Sequence, residues 1–516
     1  VRQVTDLKDI IVSSCSMFKD DTAFLEKDKP GGTFQPISYA KVKDDVDALG
    51  TKLMDMGLKG SKIAVVGETS YHWFLTYFAT VCGVGVIVPL DKNLPQDELK
   101  SLIERSHAKA IVFSKRMEKT IKPLFDEPGE IEYFISMSES ENEKVLSLEH
   151  LIEEGNKLLG EGVRDFVDAE INPEEMASLL FTSGTTGRSK GVMLSHKNIA
   201  SNVVNVSKRV TLDKGCVVLS ILPVHHTYEN TIDWVTIYQG RTIAVCEGIK
   251  YILKNMNEVK ANCMVGVPLV FEKIFKGLMK QAEGRGEGEK VRNAIALSRR
   301  LKLYNNRSLI RKLFKPVHQA FGGGMQLFIA GGAAMDPEIT ESFEAMGIPM
   351  IQGYGMTEYA PIIAVNQDNY SIARSVGRPM PETLVRIDNA DENGIGEIVV
   401  KGPSVMLGYY EDQEATDEVI EDGWLHTGDL GYLDSNDFLY LTGRKKTVIV
   451  TKGGKNIFPE EIEAVLKENE LIKETIVHGV TDNTVGNVIV TADIQPNYEL
   501  LEEQRGKMSS SDVYHF

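Results

Sequence analysis

The sequence has no long hydrophobic run. Its most apolar stretch, roughly Val81 to Leu90, contains glycines and is about half of the ~20 residues that a membrane-spanning helix needs. The N-terminal VRQVTDLKDIIVSSC mixes charged with apolar residues and lacks the apolar segment of a signal peptide. Cysteine is scarce, with Cys15, Cys82, Cys216, Cys246 and Cys263 the five in 516 residues, and none forms a CxxC pair. The odd number argues against a full disulfide framework, and a reducing, cytoplasmic setting is the simpler expectation. Basic charge is in deficit, with 57 Lys and Arg against 74 Asp and Glu and a net charge of −17. An acidic chain disfavours nonspecific binding to nucleic acid and to anionic headgroups. It leaves room for a local basic patch around an anionic ligand.

What is present is ordinary globular composition, 42% hydrophobic and 25% charged, at a length that exceeds one hydrophobic core. Short apolar runs alternate with helical patterns. Ile63–Val66 precedes an amphipathic pattern over Tyr71–Ala79, and Val84–Val88, Ala110–Phe113, Tyr133–Ile135, Val217–Ile221, Thr242–Val245 and Leu327–Ile329 continue the series. This predicts an α/β fold of parallel sheets covered by helices, with strands buried on both faces. The segment 249–321 turns basic and helical in pattern. From Leu384 strands dominate, which predicts a β subdomain over about 380–444. Asp336-Pro337-Glu338 and Pro459-Glu460-Glu461 each read as a helix start.

Three segments carry chemistry. The first is Thr182-Ser183-Gly184-Thr185-Thr186-Gly187-Arg188-Ser189-Lys190, placed after an apolar run that reads as a buried strand. Glycines let backbone N–H groups approach a polyphosphate, hydroxyls donate to its oxygens, and Lys190 adds positive charge. The spacing is not that of a Walker A loop, and alone the segment is also compatible with a flexible surface loop. The second is Gln352-Gly353-Tyr354-Gly355-Met356-Thr357-Glu358. Tyr354 can offer a ring face to a base, and Thr357 and Glu358 can serve a phosphate and a Mg²⁺; a tight turn around a buried Tyr is the alternative. The third is His426-Thr427-Gly428-Asp429 followed by Arg444-Lys445-Lys446. Asp429 can accept from ribose hydroxyls, and Arg444 and Lys446 can meet phosphate or ribose; a hairpin with a solvated basic cluster would read the same way.

In this order and over about residues 20 to 490, the segments resemble the family of acyl- and aryl-CoA synthetases, firefly luciferases and nonribosomal peptide adenylation domains. The resemblance implies ATP, Mg²⁺ and CoA as cofactors and substrates, and an acyl-AMP intermediate. It implies that Thr182, Ser183, Gly184, Thr185, Thr186, Gly187 and Lys190 hold the β- and γ-phosphates. Gly332 and Ala333 would line the adenine and acyl pocket, Tyr354 would stack on adenine within Gln352–Met356, Thr357 would touch the α-phosphate, and Glu358 would bind Mg²⁺. Asp429 and Arg444 would hold the ribose, and Lys446 would sit at the interdomain hinge. Gly453 and Gly454 would line the thiol acceptor's tunnel, and His226 would lie beside the substrate carboxylate. The implied organisation is an adenylation domain over 1–444, a hinge at 445–446, and a small mobile α+β domain over 447–516.

Val267–Ile274, the helical insert after it and His225-His226-Thr227-Tyr228-Glu229 resemble the long-chain fatty acyl-CoA synthetase branch, in which the insert helps wall an acyl tunnel. Trp234 lies where some members carry a gating Trp, although a buried core Trp is the preferred reading from the sequence. A fatty acid is therefore the expected substrate, with peripheral membrane contact compatible with it. A carrier-protein thiol in place of CoA is a second reading. A nucleotide- and acyl-binding protein with weak turnover is a third, because the family's C-terminal adenylation lysine has no match among Lys452, Lys455, Lys467, Lys473 and Lys507. Truncation within 447–516 is the expected explanation, with slow acyl-AMP formation as its consequence.

Overall fold

The computed structural model describes residues 2–182, 189–367, 371–450, 456–467, 469, 471–482, 487–498 and 500–501. The chain divides into two units, one of Val1–Thr383 with Lys401–Gly423, the other of Leu384–Val400 with Trp424–Phe516. The α/β class expected from the sequence holds.

The first unit is built on two mixed sheets. One contains, in order, Arg378–Pro379, Ile362–Val365, Met350–Gly355, Leu327–Ala330, Cys263–Gly266, Val217–Ser220, Thr242–Val245, Thr22–Lys27 and Phe34–Ser38. The other runs Gly408–Tyr409, Lys190–Ser195, Met176–Thr182, Gly85–Leu90, Ser61–Val66, Ala108–Phe113, Tyr133–Ser136 and Val145–Ser147. Within the first sheet Val217–Ser220, Cys263–Gly266, Leu327–Ala330 and Met350–Gly355 are parallel neighbours. Cys263–Gly266 and Leu327–Ala330 are buried along their whole length, as continuous apolar runs require when both faces are covered. The hairpin Met176–Thr182 with Lys190–Ser195 is antiparallel, with Met176 paired to Ser195 at its open end and Thr182 to Lys190 at the other.

The helix Tyr71–Ala79 corrects the amphipathic expectation. Every residue but His72 is buried. Phe74 packs 5.2 Å from Phe24, and Phe78 packs 4.9 Å from Trp234, ring centre to ring centre. Its aromatic content suits a helix with apolar neighbours all round, each large side chain contributing about 1.5–3 kcal/mol on burial. Trp234 is 1% exposed, a core residue. The helix His196–Arg209 packs against strands of both sheets. A capping box of Ser195 and Asn198 starts it.

The segment 249–321 is helical around one buried strand, as its pattern predicts. Pro337–Ala345 begins with Asp336 accepting from Glu338 N at 2.8 Å.

In the second unit Leu384–Asp388, Gly396–Lys401, Trp424–Leu433 and Leu439–Arg444 form a sheet, with Gly396–Lys401 and Leu439–Arg444 antiparallel to Trp424–Leu433. Beyond it, helix Pro459–Lys467 packs on Ile472–Asp482, which pairs antiparallel with Asn487–Pro496. Among the described residues no helix is long and apolar enough to cross a membrane.

Candidate active site

Parallel strands share a direction, so their C-terminal ends open along one edge, where α/β sheets place ligands. Five of the expected residues follow such ends. His226 comes after Val217–Ser220, Gly332 and Ala333 come after Leu327–Ala330, and Thr357 and Glu358 come after Met350–Gly355. Gly332 and Ala333 are exposed, and Gly332 takes φ +84°, which favours glycine. A Cβ on the preceding Gly331 would sit 2.7 Å from Tyr228 Cζ. Tyr228 therefore lies flush against the strand end, its hydroxyl donating to Ile329 O at 3.1 Å.

Glu358 sits in a one-turn helix, Thr357–Tyr359. Its backbone carbonyl accepts from Met406 N at 2.9 Å, and its carboxylate accepts from the Tyr409 hydroxyl at 2.9 Å. Burial, and then the neighbouring carboxylate, push the Tyr409 phenol far above its ordinary range, so it remains a donor. Lys190 Nζ lies 4.6 Å from the centre of the same ring, a cation–π distance. Sheet pairing sets this up, since Gly408–Tyr409 pairs with Val192–Met193 on the strand that begins at Lys190.

The helix His196–Arg209 fixes the loops concerned. Asn198 Nδ2 donates to Pro403 O at 2.8 Å. Asn202, buried one turn on, donates to Ile362 O at 2.9 Å and to Ser404 Oγ at 3.3 Å, and accepts from Ile362 N at 3.2 Å. These asparagines hold the segments on either side of Glu358.

Thr357 Oγ1 lies 3.4 Å from Thr227 Oγ1, at the start of helix Thr227–Tyr238. His226 caps that helix, with its ring 4.2 Å from that of His225. Partial desolvation lowers the His226 imidazole below its ordinary range. Burial, and then the His226 ring, push His225 down to about 4. Both rings are therefore neutral at pH 7 and available as donors or acceptors.

Tyr354 is buried in Met350–Gly355, and a Cβ on Gly355 would meet Pro361 O at 2.0 Å. Gln352 is committed to the backbone, donating to Ala373 O at 2.6 Å and accepting from Met335 N at 3.1 Å. Gly353 lies between them on the strand, and Met356 N donates to Pro361 O at 2.9 Å.

In the second unit Asp429 and Arg444 are register partners on adjacent strands, with Arg444 Nε 3.2 Å from Asp429 Oδ1. Asp429 is 14% exposed and Arg444 71%, so the carboxylate is anchored and the guanidinium reaches outward. Glu397 accepts from Gly428 N at 3.2 Å and pairs with Lys445 at 2.8 Å, bracing the turn before Asp429. Lys446 follows the strand as an exposed residue. Ser183, Gly184, Thr185, Thr186, Gly187, Gly453, Gly454, Lys452, Lys455 and Lys507 lie outside the described residues.

Sequence reading missed Tyr409, Thr227 and Asn202. Tyr409 stands in a Gly-Tyr-Tyr run with no motif of its own, and only strand pairing brings it to Glu358. Among the described residues no cluster of three or more His, Cys, Asp or Glu could hold a metal ion. A single carboxylate nevertheless suits Mg²⁺, which takes most of its ligands from substrate phosphate and water.

Comparison with known proteins bears on this arrangement. The family described as AMP-binding enzyme matches residues 12–410. Long-chain-fatty-acid–CoA ligase FadD15 of Mycobacterium bovis is 26% identical over 497 residues, covering 93% of this chain and 81% of the relative. The chloroplastic long-chain-fatty-acid–[acyl-carrier-protein] ligase AEE15 of Arabidopsis thaliana is 25% identical, covering 96% and 77%. The ATP-bound crystal structure of MatB from Rhodopseudomonas palustris superposes with a TM-score of 0.73 at 25% identity, covering 99% of this chain and 91% of that one.

Proposed function

The chain belongs to the AMP-binding enzyme family, and from that premise we propose that it activates a long-chain fatty acid with ATP and transfers it to CoA. The enzyme is an AMP-forming acid–thiol ligase. The observation that carries the reading is the convergence of His226, Gly332, Thr357 and Glu358 at the C-terminal ends of neighbouring parallel strands.

A carboxylate oxygen attacks the α-phosphorus, the bond from that phosphorus to the bridging oxygen breaks, and pyrophosphate leaves. The thiol sulfur of CoA then attacks the acyl carbon, its proton passes to solvent, and AMP leaves with the former carboxylate oxygen. Charge builds on the leaving pyrophosphate, and a fixed cation stabilises it without reorganising. Lys190 supplies that cation, oriented by the Tyr409 ring. Thr357 donates to the α-phosphate, and neutral His226 donates to the substrate carboxylate without adding charge. Glu358 would hold Mg²⁺, which would supply charge neutralisation for the polyphosphate. Tyr354 packs against adenine, Asp429 accepts from the ribose hydroxyls, and Lys446 serves as the hinge.

The fatty acid is assigned from relatives such as FadD15, and the CoA acceptor is preferred on the same ground. A carrier-protein thiol is the second reading, favoured by the likeness to AEE15. All five cysteines are free thiols, which supports a cytoplasmic setting. Incubation with Mg²⁺-ATP, CoA and acids from acetate to palmitate tests the proposal. AMP, pyrophosphate and acyl-CoA appear together with the longer acids; ADP in place of AMP would overturn it.

A further inference from the structure

The Tyr409 ring holds the far end of the Lys190 side chain. The Lys190 backbone is held from elsewhere. Lys190 opens the strand Lys190–Ser195 and pairs with Thr182. On one side of it, Gly191 O accepts from Tyr410 N at 2.7 Å. On the other, Ser189 O accepts from Arg105 Nη2, also at 2.7 Å. The Arg105 guanidinium carbon lies 5.3 Å from the centre of the Phe181 ring, a cation–π distance, and Phe181 is the register partner of Gly191. One side chain therefore grips both strands of the hairpin beside Lys190.

Arg105 stands in the last turn of helix Gln96–Ser106. Leu99, Leu102 and Ile103 seat that helix in the same hydrophobic core against which Phe181 and Tyr410 pack. His107 ends the helix in the left-handed region, and its Nε2 lies 3.5 Å from Glu411 Oε1, just past Tyr409 and Tyr410. The base from which Arg105 reaches is thus tied to the core and to the strand that carries Tyr409. A planar guanidinium suits the task, because it can donate to a carbonyl while its face or edge rests on an aromatic ring. Lysine in the same place would offer a point charge on a looser stem.

We infer that Arg105 is a positioning residue for the adenylation step: by holding Ser189 and Phe181 it presets Lys190 for the β- and γ-phosphates of ATP. Arg105 acts through Lys190 and touches neither nucleotide nor acid. The inference rests on the role given to Lys190 in the proposed reaction. It has a specific consequence. A cation placed for the leaving pyrophosphate serves ATP, and it does nothing for AMP or for an acyl-AMP already made. Loss of Arg105 therefore divides the two half-reactions, whereas loss of a merely structural tie weakens both. A displacement of about 1 Å at a positioned group costs on the order of 100-fold in rate, so a tie one residue from Lys190 is close enough to matter.

Calorimetric titration of the full chain and of Arg105→Ala with ATP, and separately with AMP, tests it. The variant is expected to bind ATP about tenfold more weakly, the size of one charge-assisted hydrogen bond, and to bind AMP as the parent does. Palmitate-dependent ATP–pyrophosphate exchange should fall about 10- to 100-fold, with the KM for palmitate unchanged. Thioester formation from presynthesised palmitoyl-AMP and CoA should keep the parent's rate. Arg105→Lys retains a cationic donor and should recover part of the loss; it also serves as the test variant if Arg105→Ala does not fold. Arg105 is only half-buried, so thermal melting should stay close to that of the parent. ATP and AMP affinities falling together would overturn the inference, as would an equal slowing of both half-reactions or unchanged ATP affinity and exchange. A parent that gives no acid-dependent exchange would sink the ligase reading, and the ATP-against-AMP titration would still decide the role of Arg105.

Discussion

The Tyr409 hydroxyl donates to Glu358 at 2.9 Å while Lys190 Nζ lies 4.6 Å from the centre of the same ring. One buried aromatic residue thus touches both a carboxylate suited to Mg²⁺ and a cation suited to phosphate. The two charges come from different sheets, and Tyr409 spaces them. Tyr409→Phe keeps the ring and removes the hydroxyl. A hydrogen bond to a charged group is worth about 1.5–3 kcal/mol, so fatty-acid-dependent ATP–pyrophosphate exchange should fall about 10- to 100-fold. Exchange measured across Mg²⁺ concentrations should show a raised Mg²⁺ requirement. Unchanged exchange would remove Tyr409 from the site.

Asn202 links Ile362 and Ser404 from a buried helix. Asn202→Ala leaves Ile362 N and Ile362 O without their partner, at about 1–3 kcal/mol for each unsatisfied buried group. Denaturant unfolding should register a loss on the order of 2–4 kcal/mol. Asn202→Asp keeps the acceptor and loses the donor, so it should be destabilised as well.

How much of this was legible in the sequence depends on range. The strands from Ser61–Val66 to Leu327–Ala330 announce themselves as short continuous apolar runs, and Asp336-Pro337 announces a helix start, because both signals are local. Tyr71–Ala79 misled because its pattern gives no hint that apolar neighbours surround it on every side. Residues 401–423 illustrate the same limit. They look like part of a β-rich region, yet Gly408–Tyr409 pairs with Val192–Met193 of the first unit. The motif residues Thr357 and Glu358 were visible as chemistry, but Tyr409, Thr227 and Asn202 were not. Their roles exist only after distant segments meet.

Glu229 and Asp233 lie one turn apart on Thr227–Tyr238, fully buried, and burial raises both carboxyls above the ordinary range. Glu229 accepts from Ile221 N at 3.1 Å, at the head of the loop that carries His226. A carboxyl whose pKa is raised by folding binds more protons in the native state. Stability therefore falls as pH rises above the unfolded value of about 4.3 and levels off above the folded one. Glu229→Gln retains an acceptor and removes the titration. It should be more stable than the parent near pH 8, on the order of 1–3 kcal/mol, with the gap closing toward pH 5. Thermal melting across that range checks the sign, and a gap that widens on acidification would contradict it.

Asp429 and Arg444 should matter for ATP more than for folding. Arg444 is largely exposed, and exposed ion pairs contribute about 0–1 kcal/mol. Asp429→Asn should leave the melting temperature nearly unchanged yet weaken ATP binding by about 10-fold or more in calorimetric titration. A large loss of stability with unchanged ATP affinity would make the pair structural.

The central claim is that a substrate carboxylate attacks the α-phosphorus, and oxygen labelling tests it most directly. Palmitate carrying ¹⁸O in both carboxylate oxygens is incubated with Mg²⁺-ATP and CoA, and the products are examined by mass spectrometry. One labelled oxygen in AMP, with unlabelled pyrophosphate, is the predicted result. Label in orthophosphate alongside ADP would place the attack at the γ-phosphorus and contradict the account.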